Sequence, residues 1–263
     1  MNDLLYKGED LRLERSGRVA TLTLDRPPVN AFRTATWREL DAAVAGAVDD
    51  GNVSVLVLRS ALDGMFGAGA DIKEPPPSAD EAERRTKLTR GVLDAVHHAP
   101  FPVVAAVDGP ALGGACALVS AADIRIAGPR AAFGLPEINV GRCGGARYLM
   151  RHLGQGTVRW LYFTGDTIDA ERAERLGLVA WVTADLDGDV ERLAARIADK
   201  SPTALRVAKQ SLNIVEWTDV AAGYETEQQF DLRLAAHPDA DEAVAAFREK
   251  RPPRWASEDA TLR

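Results

Sequence analysis

Apolar and polar residues alternate from Arg18 to Leu24 in RVATLTL, the period of a half-buried strand, and Pro27 and Pro28 break the run. The period then changes. In TATWRELDAAVAGAVDD, Leu40, Val44, Ala47 and Val48 recur at helical spacing, which predicts a helix packed through those four residues. Residues 53–61, VSVLVLRSA, form a nearly continuous apolar run, as in a strand covered on both faces. A second helix is expected from about Asp80, with Leu88, Val92, Leu93 and Val96 as its stripe. FPVVAAVDG reads as another buried strand, ACALVSAAD as a helix and IRIAG as a short strand. Strand and helix alternate, so the front of the chain is predicted to be α/β with mostly parallel strands.

The pattern shifts toward the C-terminus. DAERAERLGLVAWV opens with a short helix for which Asp169 is the N-cap and Gly177 the left-handed stop. An amphipathic segment, GDVERLAARIADKSP, runs up to Pro202, and residues 203–216, 219–236 and 239–249 read as further helices. We therefore divide the chain into an α/β core, 1–186, and a helical region, 187–263. Such a region is expected to pack on a neighbouring chain or to cover a site.

Composition narrows the function classes. The 263 residues are 46% hydrophobic and 27% charged, enough for one large core. A net charge of −7 argues against a general nucleic-acid grip but leaves room for a local pocket for a small anion. Cys116 and Cys143 lack CxxC spacing, so no metal site is expected, and both read as buried thiols of a reducing compartment. There is no secretory pattern and no apolar stretch near the ~18 residues of a membrane span, so a cytoplasmic protein without membrane attachment is expected.

Two runs of small residues carry the chemistry: MFGAGADIKE at 65–74 and GPALGGACAL at 109–118, each after an apolar strand and each read as opening toward a helix. Small residues let backbone approach a ligand, and free N–H groups at a helix start attract negative charge. Neither run has the Lys-Ser/Thr of a phosphate-cradling P-loop. The first begins a GxGxxG with Gly67 and Gly69 but has Ile72 at the third glycine, and neither contains the serine of a nucleophile elbow. Two readings remain, tight turns or a pair of N–H donors aimed at one oxyanion. In FGLPEINVG, Glu137 lies among Leu135, Ile138 and Val140: either a surface glutamate at a turn or a carboxylate whose apolar surroundings make it a base.

Taken in order, LDRPPVNAF, FGAGADIKE, VDGPALGGACAL, AADIRIA, FGLPEINVG, FTGDTIDAERAERLGLV and AFREKRPPRW resemble the crotonase superfamily, the enoyl-CoA hydratase/isomerase enzymes, over roughly residues 10–255. The resemblance implies a ClpP/crotonase-like spiral of ββα units with a helical C-terminal trimerisation region, in homotrimers or hexamers. It implies an acyl-CoA thioester substrate and no separate cofactor, since coenzyme A arrives with the substrate. By motif position, the N–H groups of Ala70 and Gly114 would hold the thioester oxygen and Glu137 would move the proton. Val29, Asn30, Ala31, Ala68, Gly69, Asp71, Ile72, Gly113 and Ala117 would line the CoA and acyl groove. Phe247 and Lys250 would reach CoA from the last helix, and Asp123 would brace the core.

The chain departs from that pattern at two points. Hydratases of the family carry a second glutamate three residues beyond the oxyanion glycine, where this chain has Ala117. VGRCGGARYL places Arg142 and Cys143 where hydratases have a Pro-Gly or Pro-Asp pair. Asp71 and Glu74 are the nearest other acids, with Asp71 expected to brace a helix start. His97 and His98 are expected to favour a helix C-terminus as positive charges. One carboxylate suits double-bond isomerisation or another enolate reaction better than fast hydration. The alternatives are a hydratase with a different second acid, or a non-catalytic acyl-CoA-binding protein.

Overall fold

The computed structural model describes residues 2–75 and 77–256. The chain begins with three strands, β1 (Asp3–Lys7), β2 (Leu11–Ser16) and β3 (Val19–Leu24). A unit of two strands and a helix then repeats. β3 leads to a short strand, β4 (Ala31–Phe32), and to α1 (Thr34–Asp49); β5 (Val55–Ser60) leads to β6 (Gly69–Ala70) and α2 (Ala79–His98). β7 (Val103–Val107) leads to β8 (Pro110–Leu112) and α3 (Gly114–Ala121), and β9 (Ile124–Ala127) to β10 (Ala132–Gly134) and a 3-10 turn, Pro136–Val140. After α4 (Ala146–Leu149) and α5 (Gln155–Thr164) come β11 (Thr167–Asp169), α6 (Ala170–Arg175) and β12 (Trp181–Val182). Four helices follow: α7 (Leu186–Ala198), α8 (Pro202–Val215), α9 (Val220–Ala235) and α10 (Pro238–Glu249).

The long strands form one sheet in the order β1-β2-β3-β5-β7-β9-β12, antiparallel over the first three strands and parallel from β3 onward. The short strands make a second layer. β4 pairs with β6, β8 with β10, and a parallel bridge between Gly67 and Ala111 joins the two pairs. Each turn of the chain thus adds one strand to each layer before a helix returns it, which is the spiral of ββα units expected from the sequence.

One face of the large sheet packs against α1 and α2 through Leu40, Val44, Ala47, Val92, Leu93 and Val96. Val48, the fourth residue of the expected α1 stripe, is 40% exposed and marks the edge of that face. The other face carries Val55, Val57, Val104, Ala106 and Ile126, covered by Val190 and Ala194 of α7. This two-sided cover explains the unbroken apolar runs in β5 and β7. Asp169 caps α6 by accepting from the Arg172 N–H, and Gly177 has φ +85°, as the sequence predicts.

From α7 onward no strand occurs among the described residues. α8 is tied to the core by a buried cation. Lys209 Nζ donates to Asp123 Oδ2 at 2.7 Å and to the carbonyls of Phe101 and Val96 at 3.0 and 3.2 Å, and Asp123 also accepts from the Val103 N–H. Asp123 therefore braces the core, as expected. No helix among the described residues is long and apolar enough to cross a membrane.

Candidate functional site

The two glycine runs meet. Gly67 N–H donates to the Pro110 carbonyl, and Leu112 N–H donates to the Gly67 carbonyl at 2.9 Å. A Cβ on Gly69, at φ +80°, would stand 2.7 Å from the Leu112 oxygen and 3.2 Å from Gly114 N, so only glycine permits this approach. The first run does not open directly onto a helix, as the sequence suggested. It continues as β6, and α2 starts only at Ala79, where Ser78 and Glu81 form a capping box. The second run does open onto one: Gly114 is the first residue of α3, so its N–H lacks an intrahelical acceptor.

The amide of Ala70 is set by β6. Asp71 N–H donates to the Phe32 carbonyl at 3.0 Å, and successive amides of a strand point in opposite directions, so the Ala70 N–H faces away from β4. Ala70 itself is exposed. The wall beneath Gly114 is aromatic: Trp37 packs edge-on against Phe32, and a Cβ on Gly114 would lie 3.0 Å from the indole.

Asn30, at φ +47°, is buried and turned inward. Its Nδ2 donates to Ser60 Oγ and to the Phe66 carbonyl, and its Oδ1 accepts from the Arg26 N–H. The side chain braces the first run. Val29 and Ala31 beside it are half-buried, and the Val29 carbonyl accepts from the Ala68 N–H.

Neither acid of the first run is free. Asp71 pairs with Arg26 at 2.8 Å and accepts from the Lys73 N–H, so it braces a turn rather than a helix start. These contacts hold its pKa below the usual carboxylate value, the Lys73 amide contributing most. Glu74 accepts from the Thr34 N–H at the start of α1 and pairs with Arg85 of α2. Ile72 between them is 80% exposed.

Glu137, in the 3-10 turn, is the exception. A Cβ on Gly113 would lie 2.6 Å from its Oε1, so the carboxylate rests on the backbone just before α3. Its Oε2 is buried and has no hydrogen-bond partner among the described residues. Burial without a partner raises its pKa above the ordinary glutamate value, since desolvation disfavours the charged form. Its own backbone opposes that rise.

Ala117 is buried one helical turn beyond Gly113. Its methyl faces Gly145: a Cβ on Gly145 would lie 3.1 Å from the Ala117 Cβ and 3.2 Å from Leu135 Cδ2. Gly145 of the loop after Glu137 thus lies beside the position where hydratases of the family carry the second acid. Cys143 in this loop is exposed, which corrects the expectation of two buried thiols; Cys116 is buried, and burial pushes its thiol pKa up to about 12. Arg142 is exposed to solvent, and its N–H donates to the Glu137 carbonyl. Tyr162 of α5 is half-buried, and burial, with Cys143 as the next cause, raises its phenol pKa.

Tyr148 bonds Asp94 of α2, so it is a link between helices. His97 closes α2, but burial and the nearby Arg151 lower its pKa to about 4, so it is neutral at pH 7 rather than a cation for the helix end. Phe247 is 86% exposed on α10, Lys250 is the left-handed C-cap of that helix, and α10 packs on α9.

Comparison with known proteins bears on the family and the fold. The family model described as Enoyl-CoA hydratase/isomerase matches residues 14–258. The chain is 34% identical to the short-chain-enoyl-CoA hydratase of Clostridium acetobutylicum, covering 91% of this chain and 94% of that one. It is 36% identical to the (7aS)-7a-methyl-1,5-dioxo-2,3,5,6,7,7a-hexahydro-1H-indene-carboxyl-CoA hydrolase of Rhodococcus jostii, with 90% and 93% covered. The crystal structure of an enoyl-CoA hydratase from Bacillus anthracis superposes with a TM-score of 0.90 at 30% identity, over 95% of this chain and all of that one. With family, relatives and crotonase fold in agreement over nearly the whole length, the chain belongs to the enoyl-CoA hydratase/isomerase family.

Proposed function

We propose that this enzyme acts on an acyl-CoA thioester through an enolate, with Glu137 as its single carboxylate acid/base. The observation that carries the reading is the buried, unpartnered Glu137 oxygen beside Gly113 and the start of α3. The N–H groups of Ala70 and Gly114 hold the thioester oxygen. Removing the α-proton puts negative charge on that oxygen, and each preorganised donor stabilises it; losing one typically costs about 3 kcal/mol in the transition state. Glu137 takes the α-proton and returns it at the α- or γ-carbon. Val29, Ala31, Ala68 and Ile72 line the CoA groove, and coenzyme A arrives as part of the substrate.

The methyl of Ala117 in place of a second carboxylate supports double-bond isomerisation or a related single-carboxylate reaction over fast hydration, because hydration must both activate a water and deliver a proton. A second reading, hydrolysis of a ring-bearing carboxyl-CoA, is favoured by the likeness to the Rhodococcus jostii hydrolase. A panel of 2-enoyl-CoA and 3-enoyl-CoA thioesters of graded length tests the first reading. Isomerisation faster than hydration is expected, and rapid crotonyl-CoA hydration would overturn it. Exchange of the α-protons of butyryl-CoA in heavy water separates any enolate chemistry from mere binding.

A further inference from the structure

β4 and β6 pair over only two residues each, Ala31 with Gly69 and Phe32 with Ala70, yet this pairing sets the direction of the Ala70 amide. A ladder so short leaves the junction dependent on side chains. Arg26, between β3 and β4, spans it. Its Nη1 donates to the Ala31 carbonyl of β4 at 2.8 Å, and its Nη2 donates to Oδ2 of Asp71, directly after β6, also at 2.8 Å. A guanidinium presents its donors in a rigid planar fork, so one group holds both partners at once. The Asp71 N–H closes the junction along the strands by donating to the Phe32 carbonyl.

Arg26 is itself held in place. Its N–H donates to Asn30 Oδ1 at 2.7 Å and its carbonyl accepts from the Asn30 N–H at 2.8 Å, so the backbone it stands on is fixed. Its Nε lies 3.6 Å from Oδ1 of Asp10, which comes from the link between β1 and β2 and is 2% exposed. Asp10 also accepts from Arg33 at 2.7 and 3.0 Å and from the Thr36 hydroxyl in the first turn of α1. Charged contacts therefore run from a buried anchor, through Arg26, to the residue next to the Ala70 amide. We infer that Arg26 is a positioning residue: by clamping β4 to Asp71 it holds the Ala70 N–H on the thioester oxygen without touching the substrate. The inference rests on the acyl-CoA reading above. Charge on the thioester oxygen develops only as the α-proton leaves, so a displaced donor is felt in the rate and hardly in ground-state affinity.

The test compares the wild type, Arg26→Gln, Asp71→Asn and the double variant, each read for butyryl-CoA affinity by calorimetry and for α-proton exchange in heavy water at saturating ligand. Arg26→Gln is expected to slow exchange about 10- to 100-fold with affinity held within about 2-fold. Asp71→Asn weakens the same bridge from its other end and should act alike. It leaves every partner of Asp10 in place, and so supplies the comparison should Arg26→Gln fail to fold. The double variant should be no more than about 2-fold slower than the slower single one. Deuterium uptake by the backbone of residues 65–74 should quicken in both single variants while that of α7 stays unchanged. Wild-type rates in Arg26→Gln, equal losses of rate and affinity, or losses that multiply in the double variant overturn the clamp. A wild type that binds butyryl-CoA without α-proton exchange overturns the enolate reading instead. Deuterium uptake over 65–74 then decides the clamp by itself, faster uptake upholding it and unchanged uptake sinking it.

Discussion

Glu137 and Ala117 have opposite environments within a few ångströms of the same backbone. The glutamate has a buried oxygen without a hydrogen-bond partner among the described residues, and the buried alanine brings only a methyl. Glu137→Gln keeps the shape and removes the base, so α-proton exchange is expected to fall by at least about 10²-fold with little change in acyl-CoA affinity. Proton exchange followed by NMR, with affinity measured in parallel, checks both halves. Because the Glu137 pKa is raised and the ionised form is the base, the acid limb of the exchange rate should lie above the ordinary glutamate range. A pH-rate profile with its acid limb at the ordinary carboxylate value would contradict that.

At the scale of elements, the site depends on β6 and the start of α3 lying side by side. Gly69 is the point of closest approach. Gly69→Ala would press a methyl against the Leu112 carbonyl at a φ that alanine disfavours. Displacing a positioned donor by about 1 Å costs on the order of 10²-fold in rate, so turnover should drop by about that factor. Asn30→Ala should loosen the same junction from beneath by leaving the Phe66 carbonyl and the Arg26 amide without their partner. A loss of about 1–3 kcal/mol in urea denaturation is expected. The elements themselves were largely legible in the chain. Alternation in β3, apolar runs in β5 and β7 and helical stripes in α1 and α2 follow from which faces they bury. The irregular stretch between β6 and α2 was not legible, because Asp71 and Glu74 are satisfied there by Arg26, Thr34 and Arg85, which are distant in sequence.

For the whole molecule, the C-terminal helices leave apolar side chains in solvent. Leu212, Ile214, Trp217, Val220, Tyr224 and Leu232 are all exposed on α8, on α9 and between them. We read them as the surface that joins copies into a trimer or a pair of trimers, since apolar area of this extent marks a binding surface. Sedimentation velocity should show the trimeric or hexameric mass, and Trp217→Glu combined with Tyr224→Glu should shift it toward monomer. Where α8 meets the core, two buried histidines make stability depend on acid. The His97 pKa is pushed down to about 4 and that of His152 to about 3, below the ordinary histidine value of about 6.5. Desolvation lowers both, with Arg151 adding to His97 and Arg125 to His152; Glu216 opposes the shift at His97. The unfolded chain therefore binds more protons below about 6.5, so this contribution is full above that pH and is lost progressively toward 4 and then 3. Thermal midpoints measured from pH 7.5 to 4.5 should fall on the acid side, less steeply in His97→Asn.

The sequence by itself determined the alternation of long strands and helices, because burial on one face or two imprints a local period; the ββα repetition came only from the ordered motifs and the family they resemble. It also singled out the two glycine runs and Glu137, because small residues and an acid among apolar neighbours stand out along the chain. What a side chain meets across the fold was decided only by tertiary structure. Asn30 became a brace, Cys143 faced solvent, and Gly145 came to lie beside Ala117. These outcomes depend on contacts between residues far apart in the chain, and no local period records them.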